Sequence, residues 1–193
     1  IFITEIDSTN GKFHKNKYIN YLRLDSTVTT VKKSSFGGCS SLKQVIIPSS
    51  VNLMKSNAFI GCRSLKRIAI LAELKQISSY AFQSCRSLRH MIIPPSVEII
   101  KKYAFSKCTS LTQITIPSST NKIENYAFWG CSLLKQVLFE DNSRLNSIEN
   151  SVFDGCNSLE TISIPSSVKS IGDYVFNNCD SLVQIVIPSS VLF

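Results

Sequence analysis

Seven cysteines, Cys39, Cys62, Cys85, Cys108, Cys131, Cys156 and Cys179, recur at intervals of 23 residues, once of 25. Thiolates ligate metals, form bridges or attack electrophiles. A metal clip needs close neighbours such as C-x-x-C, and the sequence contains none. Seven is an odd number, and a fixed interval sets the thiols in one column of a coil, pointing the same way. A ladder of small buried thiols, without metal or bridge, is expected. Only two histidines occur, His14 and His90, and neither has a G-x-S-x-G elbow or an acid at a useful offset. The phosphate loop G-x-x-x-x-G-K-[ST], the G-x-G-x-x-G turn and H-E-x-x-H are absent. The expectation is a protein that is not an enzyme and holds no cofactor. Tyr80, Tyr103, Tyr126 and Tyr174 share one position of the interval. Such a column could stack against sugar, but ring-on-ring packing with hydroxyls in water is its expected role.

The elements that must position these residues follow from the same interval. Three residues before every Cys is a Phe (Phe36, Phe59, Phe82, Phe105, Phe128, Phe153, Phe176), and three residues after it is a Leu (Leu42, Leu65, Leu88, Leu111, Leu134, Leu159, Leu182). Apolar residues follow at six and eight, as in Val45 and Ile47 or Ile114 and Ile116. Self-similarity at this period marks a solenoid. Alternation after the Leu predicts one short parallel strand per rung, closed by Pro48, Pro94, Pro117, Pro165 and Pro188. The Ala-Phe pairs (Ala58-Phe59, Ala81-Phe82, Ala104-Phe105, Ala127-Phe128) suit a short helical turn on the reverse side.

The 193 residues are 44% apolar and 18% charged, with mean hydropathy +0.11, which excludes disorder as the main content. No apolar run reaches the ~18 residues of a spanning helix, so no membrane insertion is expected within this segment. No basic and apolar leader follows Ile1, and any secretory signal is expected outside the sequence. Net charge is +8, unevenly spread: residues 1–108 carry 17 Lys/Arg and 5 Asp/Glu, residues 109–193 carry 4 and 8. The basic half would attract an acidic partner.

The segment L-x-x-I-x-I resembles the opening of the leucine-rich repeat. With Ser50, Ser96, Ser119, Ser167 and Ser190 in place of the usual Asn and the A-F-x-x-C ending, the rung resembles the BspA-like subclass. That resemblance implies an α/β fold: a right-handed leucine-rich repeat solenoid (horseshoe) with a parallel β-sheet on the concave face and an irregular or short-helical convex side. One continuous domain is expected. Residues 1–38 form a degenerate N-terminal repeat or cap, in which Phe13, Ile19, Leu22, Leu24, Val28 and Val31 keep the apolar slots. Residues 39–193 form the array, with a 25-residue rung at 131–155 that bulges at Phe139-Glu140-Asp141-Asn142-Ser143-Arg144-Leu145. The array stops midway through a rung at Val191-Leu192-Phe193, so a fragment of a longer protein is expected.

Strand alternation turns two rows outward, Gln44, Arg67, His90, Gln113, Gln136, Thr161 and Gln184, and Ile46, Ala69, Ile92, Thr115, Leu138, Ser163 and Val186. Lys43, Lys66, Arg89 and Lys135 rim them. Such rows can simply favour strands and solubility. Solenoids also bind along this face, and the residues expected to meet a partner are Lys43, Gln44, Ile46, Lys66, Arg67, Ala69, Arg89, His90, Ile92, Gln113 and Gln136. The resemblance implies a cell-surface or secreted module that adheres to a host matrix or cell-surface protein. A cytoplasmic scaffold, and an electrostatic binder of acidic, sulfated glycans, are the alternatives; no nucleic acid is expected.

Overall fold

The computed structural model describes residues 2–3, as backbone, and 13–192. Ile1, residues 4–12 and Phe193 lie outside the described residues, and with them part of the expected region 1–38 and the last residue of the final part-rung. Each turn of the coil but one lays down a longer strand and then a two-residue strand. In chain order they begin β1 (Phe2–Ile3), β2 (Tyr21–Leu24), β3 (Thr30–Val31), β4 (Gln44–Ile47), β5 (Leu53–Met54), β6 (Arg67–Ile70), β7 (Gln76–Ile77) and β8 (Ile99–Ile100). They continue β9 (Gln113–Ile116), β10 (Lys122–Ile123), β11 (Gln136–Phe139), β12 (Ser147–Ile148), β13 (Thr161–Ser163), β14 (Ser170–Ile171) and β15 (Gln184–Val186). All pairing is parallel, each residue facing its counterpart one rung on, as Gln44 faces Arg67 and Gln113 faces Gln136.

The core is the repeat seen end-on. The Phe and Leu rows are buried, with only the terminal members Phe13, Phe176 and Leu182 partly covered. From Phe13 to Phe176 the Phe rings form one column with centroids 5.2–6.0 Å apart and planes within 15°. Each buried ring contributes roughly 1.5–3 kcal/mol by leaving water. The Cys column lies beside it without a bridge, six thiols buried and Cys179 half-buried. Each thiol donates to the carbonyl of the Phe 26 residues back, or 28 back at Cys156, as Cys62 Sγ does to Phe36 at 3.0 Å. That Phe36 carbonyl also accepts the Cys39 N–H at 3.2 Å. A small side chain that tolerates burial and still donates fits the position.

The short-helical reverse side, and with it the α/β class, is corrected: among the described residues no helix occurs. The cause is two columns of left-handed residues four apart. One runs Ser34, Asn57, Tyr80, Tyr103, Tyr126, Ser151 and Tyr174; the other includes Gly38, Gly61, Ser84, Lys107, Gly130, Gly155 and Asn178. A positive φ every fourth residue interrupts a right-handed helix before it closes a turn. The chain makes successive tight turns instead, and its N–H groups reach the next rung. Phe36, Phe59, Phe82 and Phe105 donate to Ala58, Ala81, Ala104 and Ala127 at 2.8–2.9 Å. The Ala-Phe pair therefore serves close rung stacking, not helix.

The parallel sheet is present on the long-strand face, but it is interrupted. The long strands form two four-stranded sheets, β1-β2-β4-β6 and β15-β13-β11-β9, and residues 90–93 between them form no strand. The residue closing each strand accounts for part of this. Leu71 and Glu140 stand where other rungs have Pro, and their N–H groups donate to Ile47 and Ile116 at 2.9 and 3.1 Å. Those two interfaces, β4–β6 and β9–β11, hold four paired residues each. Pro94 and Pro117 have no N–H to give, and the long-strand segments they close have no ladder to the preceding rung beyond the Thr112 N–H and hydroxyl donating to the Arg89 carbonyl at 3.3 and 3.5 Å. The two-residue strands are interrupted one rung earlier, between β3-β5 and β14-β12-β10-β8-β7. There Glu73 occupies the place of Ser50, Ser96 and Ser119, whose hydroxyls donate to the preceding rung at Val28, Leu74 and Val97. The Ser78 hydroxyl takes the Met54 carbonyl in place of a backbone donor.

Candidate functional site

Both outward rows are exposed or half-exposed along their length. Where the long sheet is interrupted, the surface sinks into a cavity of about 790 Å³. Gln44, Lys66, Arg67, Ala69, Arg89, His90, Ile92 and Gln113 line it, joined by Ile68, Met91 and Thr115. Strand pairing sets Ile46 beside Ala69 and Gln136 beside Gln113, so these two flank the cavity without lining it. Lys43 lies on the rim, its side chain exposed and its carbonyl accepting the Lys66 and Arg67 N–H groups. His14 is exposed in the turn over residues 13–15, away from these residues in the coil.

The chemistry of the cavity is one-sided. Three cationic side chains, Lys66, Arg67 and Arg89, meet Ile92, which is 84% exposed, and no carboxylate lines the wall. Among the described residues none of the three is ion-paired, whereas Lys135 further along faces Glu160 at 3.9 Å. Unneutralised cations beside uncovered apolar surface suit an acidic protein surface with an apolar centre. Met91 and Ile68 belong to the inward rows yet line the cavity, beside the unpaired rungs. The doublet Pro94-Pro95 and the run Leu71-Ala72-Glu73-Leu74 are the sequence signals that mark the interruption.

The other candidates settle differently. Tyr80, Tyr103 and Tyr126 stack at 5.0 and 4.7 Å, which is the packing role expected of the column. Ser151 ends that stack, and Tyr174 stands apart, 72% exposed. Burial pushes the Cys85 and Cys131 thiols up to about 12 and Cys179 up to about 11, so these are poor nucleophiles at neutral pH. Among the described residues no cluster of three His, Cys, Asp or Glu is placed to hold a metal ion, and no helix is long and apolar enough to cross a membrane.

A strand on all but one described rung, a recurring left-handed turn pair and a column of seven inward thiols are one pattern. A family model for the BspA type leucine-rich repeat region, in six copies, matches residues 7–135 and 75–193. The chain belongs to the BspA-type leucine-rich repeat family. The chain's coil is found in solved leucine-rich repeat structures. It is similar to a leucine-rich repeat protein of T. pallidum, at 29% identity and TM-score 0.69, over 85% of this chain and 78% of that one. It is similar to one from Bacteroides ovatus at 25% identity and TM-score 0.55, over 96% of this chain and 65% of that one. The pneumococcal vaccine antigen PcpA, at 15% identity and TM-score 0.50 over 89% of this chain and 51% of that one, shares the fold alone. No curated protein matches the chain. A BspA-type solenoid is a repeat scaffold suited to protein binding, and such scaffolds are typically not enzymes.

Proposed function

We propose that the chain is a non-enzymatic binding module whose long-strand face docks an acidic protein surface, and that it works at a cell surface in adhesion. The cationic cavity around Lys66, Arg67 and Arg89, open beside Ile92, is the observation that carries the docking face. Membership of the BspA-type family supports the location, since the proteins it resembles act chiefly at cell surfaces. The cations would raise the association rate, and the apolar row would slow dissociation.

The test is binding to immobilised extracellular-matrix proteins by surface plasmon resonance. The parent is compared with Lys66→Glu/Arg67→Glu/Arg89→Glu and with a charge-matched control, Lys17→Glu/Arg63→Glu/Arg86→Glu. Loss of about tenfold or more in the first alone supports the face, because three like-charge contacts replace three attractive ones. Equal loss in both would reduce the effect to overall charge. Labelling of intact cells checks the location: a chain reached only after lysis is an internal scaffold.

A further inference from the structure

We infer a second binding site, on the ladder of two-residue strands, that takes an anionic saccharide. It goes beyond the docking face and shares none of its residues. The interruption between β5 and β7 opens a cavity of about 570 Å³ whose wall includes Tyr80, Lys33, Lys55, Lys102, Asn57 and Gln76. Tyr80 is the end of the tyrosine stack. One ring face is covered by Tyr103 at 5.0 Å; on the other side the same left-handed position is held by Asn57, so no ring covers it. Tyr80 thus lines the cavity with a ring stacked on one side only, a platform for the C–H face of a pyranose ring.

The surrounding charge is of one sign. Lys33, Lys55 and Lys102 are exposed, and among the described residues none forms an ion pair. No carboxylate lines the wall. Glu124 lies next to Lys102 but is engaged by the Lys101 ammonium at 2.9 Å and by the Lys102 backbone N–H at 3.0 Å. Three ammoniums around one open ring match sulfate or carboxylate groups carried on a sugar. Asn57 and Gln76 each offer both a donor and an acceptor, as sugar hydroxyls require and a bare phosphate does not. The second ring face is already occupied by Tyr103, so a nucleobase could not be sandwiched there.

The probe is a heparin-derived hexasaccharide, titrated into the whole chain by isothermal calorimetry in low salt, with a nucleoside monophosphate as the comparison ligand. Lys33→Gln/Lys55→Gln/Lys102→Gln is expected to weaken hexasaccharide binding by about tenfold or more. Tyr80→Ala should weaken it about fivefold, while Tyr80→Phe, which keeps the ring face, binds as the parent does. Lys66→Glu/Arg67→Glu/Arg89→Glu should weaken it clearly less than the Lys33 variant does, because none of those three side chains lines this cavity and their effect is long-range charge alone. Affinity that follows the Lys66 variant and ignores the Lys33 variant overturns the site. So does a Tyr80→Ala protein that melts and binds like the parent, the absence of hexasaccharide binding, or tighter binding of the nucleotide. Failure of the docking face leaves these outcomes unchanged, since the two variant sets are disjoint.

Discussion

At the scale of single residues, the inward rows carry the stability and the thiols report on it. Phe105 is fully buried between Phe82 and Phe128, with centroids 5.5 and 5.2 Å away. Phe105→Ala is expected to cost about 3–5 kcal/mol by the transfer and cavity terms together. Tyr103→Ala, half-exposed and stacked on two rings, should cost clearly less; thermal melts compare them, and the reverse order would invert the inside and outside of the coil. The thiols add a pH signature. Burial raises Cys85 and Cys131 from an ordinary 9.0 to about 12, so the folded chain holds those protons more tightly than the unfolded one. Stability from this source is complete below about pH 9 and is lost as the pH rises through about 12. Melting temperature should therefore fall across that window, and less steeply in a Cys85→Ala protein. Native labelling with a thiol reagent should reach half-buried Cys179 before the other six.

At the scale of elements, the strand that each L-x-x-I-x-I segment predicts is present in every described rung except the one at residues 90–93. The inward and outward rows were legible because strand alternation has a period of two and needs no knowledge of the partner. The missing helix was not legible from Ala-Phe, which suits a helical turn as well as a close-packed turn. The signal lay in the residues four apart, Gly38, Gly61, Gly130 and Gly155 after Ser34, Asn57, Tyr126 and Ser151, and only the glycines declare a left-handed backbone. Nor could the interrupted sheet be read, since it depends on which carbonyls find a donor on the next rung. Two predictions follow from those donors. Amides of Ile92 and Thr115 should exchange about tenfold or more faster than those of Ala69 and Leu138, which sit in four-residue ladders. Glu73→Ser should restore a hydroxyl opposite the Val51 carbonyl and stabilise the fold by about 1 kcal/mol, a rise of about 2–4 °C in Tm; an unchanged or lower Tm would refute that account of the interruption.

At the scale of the whole molecule, the interrupted ladders divide a repeat that is otherwise uniform. Each rung contacts only its neighbours, so cooperativity is set by the weakest interface. The rung over residues 62–84 lacks short-strand pairing on one side and long-strand pairing on the other. The rungs before it carry 8 Lys/Arg against 3 Asp/Glu, an uncompensated positive charge that favours their expansion, whereas residues 109–193 carry 4 against 8. In urea, far-UV dichroism is therefore expected to change before the fluorescence of Trp129, which lies beyond the interruption, and Cys39 should label before Cys131 at intermediate concentrations. Coincident transitions would show a single cooperative unit. Under tension the same geometry acts as a joint. A solenoid pulled along its axis bears load through bonds that run parallel to that axis. At residues 90–93 the turn and short-strand ladders still bear it, while the long-strand face does not. The coil is weakened there on its long-strand face, and one rung earlier on its short-strand face, so at residues 90–93 it would hinge along its reverse side. Drag on whatever sits in the cationic cavity would open that coil and change the cavity's shape, making the grip of the module a function of the force upon it.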